Sequence, residues 1–166
     1  MKDESVLVHC EHVSERKFDE VVAALEQATG VIDAMSFRNA LATAKSPADF
    51  EAGIRAHEGP SGFMRFFEAD HGAWMSRLGA AAKCKLYVLG NPLIAWTMLR
   101  HDLGAGLNVP LRVLIYEDRK TGKTRFAYDL PSSLMARLAN EDVAAAARRL
   151  DEKLAALARA VTGADA

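Results

Sequence analysis

Residues 83–101 read KCKLYVLGNPLIAWTMLRH, and this stretch decides the fold. Residues 83–89 alternate and then turn wholly apolar, the pattern of a strand. Gly90-Asn91-Pro92 turns the chain sharply, and residues 93–101 read as a helix. Asparagine is a good N-cap and proline a good first-turn residue. On the C-terminal side, Gly104 and Gly106 interrupt before a second apolar strand over 111–117. Thr121-Gly122 is a hairpin turn, and residues 123–128 return as its partner strand. Pro131-Ser132-Ser133 begins a short helix, and from Asn140 to about residue 161 a long helix carries one stripe of Val143, Ala147, Leu150, Leu154 and Leu157.

Upstream, residues 62–68 (with Phe63, Phe66 and Phe67) read as a strand, and Asp70 or His71 opens a helix that Gly79 closes. Ser46-Pro47-Ala48-Asp49 is a helix start, with a capping serine, a first-turn proline and an acid at the positive end of the dipole. Residues 31–45 show no clean period and read as loop with a short helical turn. Phe18, Val21, Val22 and Leu25 fall at i, i+3, i+4 and i+7, one helical face, for which Ser14 is the expected N-cap. Residues 5–13 are β-branched-rich and read as a strand. Strands alternate with helices and close in an antiparallel hairpin. The expected architecture is α+β or α/β: a single mixed sheet of about five strands with helices packed on it and a long C-terminal helix.

A chain of 166 residues corresponds to one domain by length, with no break in composition, and residues 1–166 are expected to fold as one. With 21 basic and 22 acidic residues the net charge is −1, and no basic run stands out. No positive field is available to attract a nucleic-acid backbone, so nucleic acid is not an expected partner. Two cysteines, Cys10 and Cys84, form neither a C-x-x-C pair nor a disulfide framework. The acidic start Met1-Lys2-Asp3-Glu4 is unlike a signal peptide, and no apolar run approaches the ~20 residues of a membrane span. The expected setting is the cytoplasm, without membrane contact.

Gly90-Asn91-Pro92, Asn108-Val109-Pro110-Leu111-Arg112-Val113 and Tyr116-Glu117-Asp118 occur in that order. Together they resemble the core of family 302 of the domains of unknown function, a small α/β family. The resemblance covers roughly residues 63–130, with residues 5–29 as an N-terminal arm and about 31–60 as an insertion relative to shorter members. It implies the fold and a symmetric homodimer, and it implies no established activity. Many members carry cysteines beside the Asn-Pro turn and after the proline of the next strand. Here those positions are Gly90 and Leu111, so no thiol role carries over.

Candidate site residues follow from residue type and position. Asn91 can present its amide at a strand-to-helix turn and leave helix amides free for an anion, although the same residue also reads as a plain cap. Asp70-His71 pairs a carboxylate with a near-neutral base at another such turn and is the catalytic candidate. An aspartate before a helix is equally an ordinary cap. His71 and Met75 share a helix face, but no haem-attachment motif is present. Of His9, Cys10 and His12, strand alternation lets at most two converge, short of the three or four protein ligands zinc takes, so no metal is expected. Tyr128, Asp129, Ser132 and Ser133 cluster at the end of the hairpin and are ligand-binding candidates. The chain lacks a P-loop, a G-x-S-x-G elbow and a G-x-G-x-x-G turn, which disfavours nucleotide hydrolysis, serine hydrolysis and dinucleotide binding.

The expected function is a homodimeric small-ligand-binding or regulatory module, with no cofactor and a small polar or anionic ligand. The alternative is an enzyme of unknown reaction using Asp70-His71 as base near the Asn-Pro turn. Both place Asn91, His71 and Tyr128-Asp129 at one edge of the sheet, which requires the strands ending near Glu68 and Leu89 to run parallel.

Overall fold

In the computed structural model, which describes residues 4–163, the stretch quoted above forms β4 (Cys84–Gly90) and α5 (Pro92–Leu99). Strand β4 lies inside the sheet, with β5 (Leu111–Glu117) on one side and β3 (Met64–Asp70) on the other, both antiparallel to it. Beyond β5 come β6 (Thr124–Asp129) and β1 (His9–Ser14), and beyond β3 the two-residue β2 (Gly30–Val31). The order is β1-β6-β5-β4-β3-β2, and β2 is the member that pairs parallel. The sheet thus has six strands rather than about five. Two residues cannot display a period, so β2 has no signature in sequence.

Every second residue of the inner strands faces α1 (Phe18–Ala28) and α7 (Glu141–Thr162). Tyr87, Leu89, Val113, Ile115 and Phe126 are fully or almost fully buried against Val21 and Leu25 of α1 and the α7 stripe. Asn140 caps α7 by accepting from the N–H groups of Asp142 and Val143, and Gly163 ends it in the left-handed conformation at φ 66°. The Tyr87 hydroxyl donates to Glu26 Oε1 at 2.8 Å, and the Lys85 ammonium reaches the same oxygen at 3.0 Å, so α1 is tied to β4 by polar contacts as well.

Three local expectations need correction. Residues 34–43 form a full helix, α2 (Ala34–Thr43), which Asp33 caps by accepting from the Ser36 N–H at 2.7 Å. Its apolar residues cover α3 (Pro47–Arg55) and the edge of β3 rather than a continuous core, which is why no clean period appears. The residue preceding α1 at the cap is Lys17, not Ser14. Ser14 is the last residue of β1, and its hydroxyl donates to the Thr162 carbonyl at 2.6 Å. Third, β3 and β4 are antiparallel: Met64 pairs with Gly90 and Asp70 with Lys85. His71, which opens α4 (His71–Arg77), and Asn91 therefore stand at opposite ends of the sheet.

The α7 stripe is the wall on which the sheet closes. Leu154 is fully buried, and Leu154→Ala should cost about 2–5 kcal/mol, the range for emptying a buried leucine site. Denaturant unfolding measures it. A loss below about 0.5 kcal/mol, typical of surface positions, would mean that the helix is not part of the core.

Candidate functional site

Gly90 ends β4 where a Cβ would come within 3.2 Å of Pro110 Cβ, so a side chain here would press on the proline that precedes β5. Asn91 follows, 6% exposed. Its Oδ1 accepts from the Leu93 N–H at 2.8 Å, and its Nδ2 donates to Glu58 Oε1 at 2.6 Å and to the Gly62 carbonyl at 2.9 Å. Both donors of the amide are occupied and one lone pair of its oxygen is used. Asn91 is thus a cap that also fastens the loop between α3 and β3. It has no free N–H for a ligand.

The helix so anchored is apolar almost all round: Leu93, Ile94, Ala95, Trp96, Met98 and Leu99 leave it no polar face. Such a helix is normally buried on every side. Here only Met98 is fully buried, and Trp96 is 60% exposed. The surface that α5 does not bury lines a cavity of about 640 Å³ at the end of the sheet. Phe37 of α2, Phe50 of α3 and Phe66 of β3 close one side; Phe63, Val109 and Leu150 close another. Among the lining residues none is ionisable, and Asn91 and Trp96 are the only polar side chains. The volume lies within the ~300–1,000 Å³ of small-molecule pockets, whose walls are typically apolar with few polar groups.

Of the candidate site residues named from the sequence, Asn91 alone lines this cavity. Asp70 caps α4 by accepting from the Ala73 N–H at 2.8 Å, while His71 Nδ1 accepts from the Trp74 indole at 3.1 Å, so the two are engaged separately at the far end of the sheet. Tyr128 faces the helices, with its hydroxyl 3.4 Å from His12 Nε2 and its ring stacked on the imidazole at 5.9 Å. Burial, with Cys10 alongside, pushes its phenol up to about 12. Asp129 Oδ1 lies 2.9 Å from His9 Nδ1. The Ser132 N–H donates to Asp151, and the Ser133 hydroxyl donates to the Leu130 carbonyl while accepting from the Val8 N–H, which fixes the approach to β1. Among the described residues no three of His, Cys, Asp and Glu are grouped to hold a metal ion. None of their helices is long and apolar enough to cross a membrane.

Sequence reasoning missed the aromatic walls, Phe37, Phe50, Phe66 and Trp96. One signal was present in the sequence: residues 92–99 lack a polar face, and a short helix of that kind demands cover from elsewhere.

A family model described as domain of unknown function DUF302 matches residues 39–161. Among solved structures, the chain is similar to the uncharacterized conserved protein DUF302 from Bacillus stearothermophilus. The identity is 15%, covering 92% of this chain and 97% of that one, with a TM-score of 0.65. At that identity the likeness is one of fold. Among curated proteins there is no match.

His9 and His12 alternate on β1 and meet opposite environments. The Asp129 carboxylate holds the His9 imidazole above its ordinary 6.5, while burial, aided by Arg159, holds His12 below that value. The His9–Asp129 pairing therefore adds stability below pH 6.5 that is lost as pH rises through the raised His9 midpoint. Buried His12 has the reverse effect: stability is lost as pH falls through 6.5, because the unfolded chain takes the proton first. In an NMR titration His9 should therefore show the higher midpoint. Asp129→Asn should bring His9 down and leave His12 in place, and a His12 midpoint above that of His9 would contradict this assignment.

Proposed function

This chain belongs to the family described as domain of unknown function DUF302, and within that fold we propose that it is a small-molecule-binding module whose ligand occupies the apolar cavity beside α5. The observation that carries the reading is the lining: a volume of about 640 Å³ is walled by aromatic and aliphatic side chains from six separate elements, α2, α3, β3, α5, β5 and α7. Apolar side chains gathered around an open recess forgo the stabilisation of burial, about 25 cal/mol per Å², and a ligand that covers them recovers it. The ligand is chiefly apolar, unlike the small polar one expected from the Asn-Pro turn alone. Binding is favoured over catalysis because no lining side chain is ionisable, and Asp70 and His71 lie at the far end of the sheet, each with another partner. Both cysteines are free thiols, which suits a reducing cytoplasm.

The neutral fluorophore N-phenylnaphthylamine tests this directly. It should bind with enhanced emission, and Ala95→Trp, which places an indole in the cavity, should weaken it about tenfold or more, a loss of ~1.4 kcal/mol. An unchanged affinity in a variant that keeps its melting temperature would sink the proposal.

The module is proposed to act as a homodimer. Among the aromatic residues on and beside the sheet, Phe63, Tyr87 and Phe126 are buried in the core and Phe66 lines the cavity, whereas Phe67 is 58% exposed. It stands on the sheet face opposite α1 and α7, across from Val88 and near half-buried Leu86 and Leu114. A two-fold contact through this strip would cover it in both copies. Sedimentation at micromolar concentration should give a dimer that Phe67→Glu converts to a monomer. A monomeric natural chain would refute it.

A further inference from the structure

A second recess of about 370 Å³ adjoins the cavity and shares Asn91, Leu93, Ile94 and Leu150 with it. Its character is opposite. Arg55, Arg149 and Lys153 line it against a single carboxylate, Glu58, so a chain of net charge −1 concentrates positive charge here. Glu58 is already engaged, its Oε1 by the Asn91 amide and its Oε2 with Arg55 Nη1 at 3.7 Å. Arg55 is in turn held by Glu51 at 2.6 Å. That leaves Arg149 and Lys153, one turn apart on the same face of α7, which take part in no ion pair among the described residues.

Lys153 marks the junction of the two spaces. Its ammonium lies 5.5 Å from the centre of the Phe63 ring, and Phe63 is a wall of the apolar cavity. Gly62, at φ 75°, makes room for it: a Cβ there would come within 2.8 Å of Lys153 Nζ. An ammonium held against the rim of an apolar chamber, without a carboxylate of its own, is placed to meet a negative charge on whatever fills that chamber.

We infer that the ligand is an anionic amphiphile, with its apolar body in the cavity beside α5 and its carboxylate or phosphate in the recess between Arg149 and Lys153. The inference rests on the cavity being the binding site and adds the chemistry of the ligand's other end. An exposed Arg149 and a half-buried Lys153 give modest selectivity, sensitive to salt.

The test uses the full chain and three probes of one chain length, decanoate, decyl phosphate and neutral decanol, each displacing N-phenylnaphthylamine. At low salt one of the two anions should bind about tenfold tighter than decanol, which is within what two such charge contacts supply. Whichever anion binds tighter identifies the head group. Arg149→Gln combined with Lys153→Gln keeps good helix formers on α7 and should erase that preference while leaving decanol and the fluorophore unchanged. Equal binding of anions and alcohol, or a preference that survives the double substitution, would overturn the inference and leave the cavity reading intact. Failure of all three probes and of the fluorophore would remove the cavity reading, and this one with it.

Discussion

One side chain sets the geometry on which the candidate site depends. The Asn91 amide joins two segments that are distant in sequence: the first turn of α5, through the Leu93 N–H, and the loop between α3 and β3, which it grips at both Glu58 and Gly62. Buried at 6% exposure, it has no water to replace a lost partner, so the two segments are held in one relation. The direction in which α5 leaves the sheet follows from that relation. So do the gap between α5 and Pro110 and the meeting of the apolar cavity with the cationic recess along Leu93 and Ile94.

The cavity can persist because the surrounding walls are rigid for independent reasons. On one side Phe63, Leu111 and Leu150 belong to the main core between the sheet and α7. On the other, Phe37, Phe50 and Phe66 pack around Ile32, Ile54 and Met64 in a separate cluster. Helix α5 bridges the two. A side chain cannot collapse into the gap without leaving one of these packed groups, and dense cores resist that kind of rearrangement.

The polar clusters elsewhere have structural roles by their geometry. Asp70 satisfies the start of α4, and Ser14 and Ser133 satisfy backbone groups where β1 begins and ends. Glu26 receives Tyr87 and Lys85 at the seam of α1 and β4. Side chains so engaged look like site residues in a sequence because caps and ligand contacts call on the same short polar types.

Local patterning assigns the strands and helices from β3 through α7. It also determines that Val143, Leu150, Leu154 and Leu157 form the buried stripe. Those properties follow from local periodicity and from caps within a few residues, so a linear reading reaches them. The running direction of β3 beside β4 was not available in that way. Antiparallel pairing sends Asp70-His71 to one end of the sheet and Asn91 to the other, and pairing is decided by long-range packing rather than by either strand's own residues. The cavity was equally out of reach, since its walls, Phe37, Phe50, Phe66, Trp96 and Pro110, share no spacing and become neighbours only when the end of the sheet, α2, α3 and α5 are brought together. A void is a property of how surfaces fail to meet, and only the tertiary structure decides that.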